Sequence, residues 1–205
     1  FVGANHGKRK RIERLLTAYS LFLKENKERK NETLLVLKTM PISITSPANL
    51  IKICAKLEIS SNVIFLYGEN NILSDKAMNI IYNCFDVNVS ASSSEGFGFP
   101  TLESMACGIP QIGPDCSSFI ELIKDHENCN NDRGLLVKKG EWVMINDGSY
   151  RFEVNEQDFS HNMEILYSDN DLRKGLGKNA EIWIKQYTWE KVAKQWNNIL
   201  NTWKK

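Results

Sequence analysis

The sequence has no apolar run approaching the ~18–20 residues that a membrane-spanning helix requires. It has no excess of one charge: 26 Lys and Arg oppose 25 Asp and Glu, for a formal net charge of +1. That balance argues against a dedicated nucleic-acid binder, which is usually basic along a whole face. The five cysteines (Cys54, Cys84, Cys107, Cys116, Cys129) are odd in number and form no C-x-x-C pair. They argue against a disulfide framework and a zinc site and suit a reducing compartment. No signal peptide is evident, because the basic cluster follows residues 1–7 instead of preceding an apolar segment. The chain does not begin with Met, and Phe1-Val2-Gly3 reads as a strand already under way. The expectation is a piece cut from a longer chain. No internal repeat or low-complexity linker interrupts it.

What is present is globular: 42% hydrophobic and 25% charged residues over 205 positions, enough to bury roughly 70% of the unfolded surface in one domain. Short apolar runs alternate with amphipathic stretches. Strands are predicted at 1–4, 33–37, 62–66, 85–90, 110–113 and 134–137. The run at 33–37 is continuously apolar, as in a strand covered on both faces. Helices are predicted at 11–25, 47–57 (Ser46 capping, Pro47 first), 74–84, 101–107 and 117–124. This alternation implies an α/β fold, a Rossmann-like doubly wound parallel sheet of order 3-2-1-4-5-6 with right-handed crossovers. Residues 142–154 break the pattern as a hairpin or irregular excursion, with Asn146-Asp147-Gly148 at its tip. Helices then fill 159–167, 171–186 and 189–203. The expected division is a Rossmann-like domain over 1–156 with C-terminal helices over 157–205 packed on it. Trp189, Trp196 and Trp203 lie near one face of the last helix, where they would pack on the sheet or on an absent domain.

The chemistry concentrates in Ser92-Ser93-Ser94-Glu95-Gly96-Phe97-Gly98-Phe99-Pro100-Thr101-Leu102-Glu103. This segment follows the fourth strand and enters a short helix. In the expected strand order it faces the loop after strand one, Asn5-His6-Gly7-Lys8-Arg9-Lys10, across the crevice where such sheets bind ligands. Gly96 and Gly98 allow close backbone approach. Free N–H groups at Phe99, Thr101 and Leu102, with the helix dipole, would form an anion site. Lys10 or Arg9 would add full charge, and the set suits a diphosphate. Glu95 and Glu103 make sense there if they accept hydrogen bonds from sugar hydroxyls on either side of the phosphates. Residues 67–73 are placed near the base on position alone.

Glu95 and Glu103, with Gly-Phe-Gly-Phe-Pro between them and Ser104-Met105-Ala106-Cys107-Gly108-Ile109-Pro110 after, closely resemble the E-x7-E signature of retaining GT-B glycosyltransferases of the group 1 (family four) type. The likeness extends through "NVIFLYG", "RGLLV" and "YTWEKVAKQW". It implies the C-terminal, nucleotide-sugar-binding half of a retaining hexosyltransferase, with the N-terminal acceptor domain absent from these residues. By this resemblance Glu95 holds the donor sugar near its anomeric carbon and 3-hydroxyl, and backbone at Phe97, Gly98 and Phe99 lines that sugar. Backbone at Thr101 and Leu102 touches phosphate, Glu103 bonds the ribose hydroxyls, and Lys10 neutralises the diphosphate. The family usually has Arg where Asn5 stands, and Arg9 or Lys8 could compensate. The implied partners are a UDP- or GDP-sugar, a glycan or lipid acceptor and the chain's own acceptor domain, with no cofactor and no metal. The implied setting is cytoplasmic, with membrane-surface contact through the absent half left open. Two alternatives stand beside it: a degenerate binding module without transfer activity, and a nucleotide-sugar epimerase on the same fold.

Other motifs carry less. Residues 3–8 resemble a P-loop but are one residue short, with Arg9 where a Mg²⁺-binding hydroxyl belongs. Asp169-Asn170-Asp171 mimics a metal-binding DxD, but it stands before an amphipathic helix and reads as a cap. The basic run Lys8-Arg9-Lys10-Arg11 reads as part of the loop rather than as a nucleic-acid patch. His6 could touch the ligand; His126 and His161 read as surface residues.

Overall fold

The computed structural model describes residues 1–3, 9–43, 48–67, 73–144 and 148–203. Helix α1 (Ile12–Glu25) buries Ile12, Leu15, Leu16, Tyr19, Phe22 and Leu23, the stripe its helical spacing marks. A short α2 (Arg29–Glu32) leads into β1 (Leu35–Leu37), and α3 (Leu50–Lys56) into β2 (Val63–Phe65). Then α4 (Asp75–Tyr82) precedes β3 (Asn88–Val89), α5 (Phe99–Ala106) precedes β4 (Gln111–Pro114), and α6 (Ser118–Ile123) precedes β5 (Gly134–Val137). Strands β6 (Lys139–Met144) and β7 (Tyr150–Val154) follow, then α7 (Glu156–Ser168), α8 (Asn170–Ile184) and α9 (Trp189–Thr202).

Strand β1 runs parallel to β2, with Leu35 opposite Val63, and Val2 bridges Lys38 in the same sense. Strand β4 lies between β3 and β5, all parallel. The predicted order thus emerges as two runs, 3-2-1 and 4-5-6 in the predicted numbering. Among the described residues no ladder joins the runs, yet Phe1 and Val89 belong to one core cluster. That cluster also takes Phe159, Met163 and Leu166 from α7, so the first tail helix shares the core of the sheet.

The strands are shorter than the apolar runs. Leu34 is 50% exposed and stays unpaired ahead of β1. Phe85 does not enter β3, because its N–H donates to the Tyr82 carbonyl as α4 closes. The predicted cap Ser46 and the neighbouring Pro47 fall outside the described residues. Helix α3 starts instead at Leu50, capped by Asn49, whose side chain accepts the Lys52 N–H at 3.0 Å. The excursion is a hairpin: β6 and β7 are antiparallel, with Trp142 opposite Phe152 and Met144 opposite Tyr150. Of its predicted tip, Asn146 and Asp147 lie outside the described residues.

Asp169 accepts the Leu172 N–H at 2.8 Å, so the Asp-Asn-Asp motif is a cap for α8. Helix α8 lies close to the turn ahead of β4, where a Cβ on Gly177 would come 2.2 Å from the Gly108 carbonyl oxygen. Only glycine permits that approach. The tryptophan stripe does not pack on the sheet. Helix α9 buries no residue, and Trp189, Trp196 and Trp203 are 78%, 60% and 85% exposed. The ground beside α5 is taken by α8, whose Leu176, Gly177 and Ala180 are buried. No described helix is long and apolar enough to cross a membrane.

Candidate functional site

The loop after β3 and the residues leading into α1 meet, as a switch-point crevice requires. The Arg9 carbonyl accepts the Ser93 N–H at 2.8 Å and the hydroxyls of Ser92 and Ser93. The Arg9 guanidinium donates to the Ser94 carbonyl at 2.9 Å and pairs with Glu95 Oε2 at 3.0 Å. Lys10 Nζ lies 2.5 Å from Glu95 Oε1, both side chains nearly buried. Burial alone would push the Glu95 carboxyl up. The bonds from Lys10 and Ser92, with the charges of Lys10 and Arg9, outweigh it and hold the group below its ordinary value. Three predicted residues, Glu95, Lys10 and Arg9, are therefore in contact. Asn5, with His6 and Lys8, lies outside the described residues.

The main chain of Glu95 is held from the loop after β4. Its N–H donates to Ser117 Oγ at 3.0 Å, and Ser118 Oγ donates to its carbonyl at 3.3 Å. Ser117 adopts φ 48°, a left-handed backbone that a non-glycine residue rarely takes without a structural reason. Arg151 of β7 donates to Ser94 Oγ, and Glu153 of β7 pairs with Arg11 and Arg14 at the start of α1. The hairpin is thereby tied to both halves of the crevice.

Gly98 caps α5 at φ 83°, so the helix starts at Phe99, two residues ahead of the predicted start. This corrects the anion site. The N–H groups of Thr101 and Leu102 are engaged, donating to the Gly98 carbonyl at 2.9 and 3.1 Å. Pro100 has no N–H, so Phe99 supplies the amide at the helix mouth. The rings of Phe97 and Phe99 are about half exposed and stack edge to face with centroids 5.1 Å apart.

Glu103 sits on the exposed side of α5, where its Oε2 accepts the Tyr82 hydroxyl at 2.7 Å. Tyr82 closes α4 and is 1% exposed. Sequence reasoning did not find Tyr82, Arg151 or the Ser117–Ser118 pair. Only the serines carried a usable signal: they follow β4, and loops after neighbouring strands converge at the carboxyl edge of such a sheet.

A small hollow of about 10 Å³ lies beside the pair, with Lys10, Asn88, Glu95, Gly98 and Thr101 among its lining residues. A larger cavity of about 470 Å³ opens among Tyr19, Phe22, Leu35, Val89 and Met163. It lies at the leading ends of β1 and β3, opposite the edge where doubly wound sheets bind ligands, and the charged residues of the crevice are not part of it. Among the described residues no group of three or more His, Cys, Asp or Glu side chains is gathered as for a metal ion.

Residues 1–183 match the family model for glycosyl transferases group 1. Over 151 residues the chain is 26% identical to N-acetyl-alpha-D-glucosaminyl L-malate synthase of Bacillus anthracis, an alignment covering 73% of this chain and 33% of that enzyme. The C-terminal domain of a glycosyl transferase group 1 family protein (LpcC) from Francisella tularensis superposes with a TM-score of 0.67 at 20% identity, over 90% of this chain and 83% of that one. The pneumococcal O-GlcNAc transferase GtfA, solved in complex with UDP and GlcNAc, superposes with a TM-score of 0.70 at 20% identity, over 98% of this chain and 35% of that one. The matches span about a third or less of the length of the curated relatives. It has the fold of a GT-B glycosyltransferase domain, and it belongs to the group 1 glycosyltransferases.

Proposed function

We propose that this chain is the donor-binding half of an enzyme that transfers a hexose, with retention of configuration, from a uridine or guanosine diphosphate sugar to an acceptor hydroxyl on a glycan, lipid or protein glycan. One observation carries the reading: Glu95 stands four residues ahead of α5, Glu103 is the fifth residue of that helix, and Lys10 and Arg9 converge on Glu95.

Lys10 and Arg9 offset the diphosphate charge once the donor draws them from Glu95. The released Glu95 carboxylate accepts hydrogen bonds from the sugar near its anomeric carbon and 3-hydroxyl. Backbone at Phe97, Gly98 and Phe99 lines the sugar. The Phe99 N–H and the α5 dipole receive phosphate. Glu103 takes the ribose hydroxyls. As the anomeric C–O bond lengthens, negative charge grows on the leaving diphosphate, where the cations and the dipole stabilise it. The acceptor hydroxyl then attacks from the side the diphosphate leaves and gives its proton to a phosphate oxygen. Configuration is thereby kept without a covalent sugar–enzyme bond.

The exposed stripe of α9 and the third-length match to relatives support an N-terminal acceptor domain that covers this helix. Five free cysteines support a cytoplasmic setting, with any membrane-surface contact made by that other half. Calorimetric titration of the full-length protein with UDP, GDP and their sugars tests the reading. One nucleotide series should bind, and Glu95→Gln should lose transfer while keeping nucleotide affinity. Binding of neither series overturns it. Free epimerised sugar without glycoside would make the protein an epimerase, and tight donor binding without turnover a binding module.

A further inference from the structure

We propose that Tyr82 is a positioning residue for the donor's ribose: its hydroxyl fixes one oxygen of Glu103 and leaves the other, Oε1, as the acceptor that meets the sugar hydroxyls. The proposal rests on the donor-binding reading above.

Glu103 by itself is a poor fixed acceptor. It is exposed on α5, and a free glutamate side chain loses rotamer freedom when a ligand orders it. Tyr82 removes that loss in advance. Its ring is 1% exposed at the end of α4 and packs edge to face on Phe85 with centroids 6.1 Å apart, so its hydroxyl has little room to move. That hydroxyl lies 2.7 Å from Glu103 Oε2. Burial, together with the Glu103 carboxylate, pushes the phenol well up from its ordinary value, so the group remains a donor. A carboxylate held at one oxygen presents the other in a set direction, the usual means of orienting a binding group through its neighbour.

The test is calorimetry of the full-length protein with UDP and GDP, each beside its 2′,3′-dideoxy analogue. For the nucleotide that binds, Tyr82→Phe should weaken affinity by roughly three- to tenfold, the size of one hydrogen bond's net contribution. The same substitution should leave the dideoxy analogue unaffected and add nothing in a Glu103→Gln background. A role in packing alone would weaken both nucleotide forms alike and would add to Glu103→Gln. That result, or an unchanged affinity for the ribose form, overturns the proposal and leaves the donor reading intact. If the parent protein binds neither diphosphate, both fall together. Tyr82→Met is a second variant without the hydroxyl, should Tyr82→Phe fail to fold.

Discussion

Lys10 and Glu95 lie 85 residues apart in sequence, and their charged atoms meet at 2.5 Å with 11% and 13% of their side chains exposed. The folded state therefore binds the Glu95 proton less tightly than the unfolded chain does. Its contribution to stability is complete above the ordinary value of 4.5 and is lost as pH falls through the lower folded value. Glu95→Gln should cost roughly 1–3 kcal/mol near neutral pH, and the difference from the parent should shrink on acidification below the ordinary carboxylate range. Urea denaturation across that range measures it; a difference independent of pH would contradict the pairing.

Glu103→Ala removes the expected acceptor for the ribose hydroxyls. Nucleotide affinity should fall by roughly 1.5–3 kcal/mol, the worth of hydrogen bonds to a charged group, with a modest fall in melting temperature because the buried Tyr82 hydroxyl loses its acceptor. Titration calorimetry reads it, and an unaltered affinity counts against the ribose assignment.

Gly98 and Gly96 should respond differently to alanine. Gly98 has φ +83°, and a Cβ there would meet Leu122 Cδ1 at 3.3 Å, whereas a Cβ on Gly96 meets nothing within 4 Å. Gly98→Ala should cost about 1–2 kcal/mol and disturb the start of α5. Gly96→Ala should leave stability almost unchanged. Chemical denaturation of the two variants side by side gives the comparison.

Trp196 is 60% exposed and Phe159 is fully buried. In this chain Trp196→Gln should shift stability by less than about 0.5 kcal/mol, against roughly 3–5 kcal/mol for Phe159→Ala. In the full-length protein Trp196→Gln should become costly, if the acceptor domain covers α9. An equal, small effect in both contexts would leave the stripe without that partner.

The proposed chemistry relies on Lys10, Arg9 and the α5 dipole to meet the diphosphate. A chelator should therefore leave nucleotide affinity and transfer unchanged. Activity that disappears on chelation and returns only with manganese would refute this part of the mechanism.

Much of this was legible in the chain. The α1 stripe, the six strand positions and the two acids around Gly98 follow from periodicity and spacing, which are local. What was missed depends on contacts across the fold. Tyr82 reads as one more apolar position of a helix, and no pattern links it to Glu103. The amides of Thr101 and Leu102 read as free if the helix starts at residue 101. With Gly98 as the cap, those two amides fall where its carbonyl can accept both. At α3, a Ser-Pro pair and Asn49 compete as starts, and the nearer Asn49 is the one with a partner.

The clasp of Ser117 and Ser118 on the Glu95 main chain reaches beyond the crevice. The acid is anchored from a crossover it does not belong to, so lengthening or shortening the β4–α6 connection by a single residue would re-aim Glu95 with no change in its own loop. Changes of length should therefore be rare at this joint, which acts as a template for the angle at which the carboxylate faces its ligand.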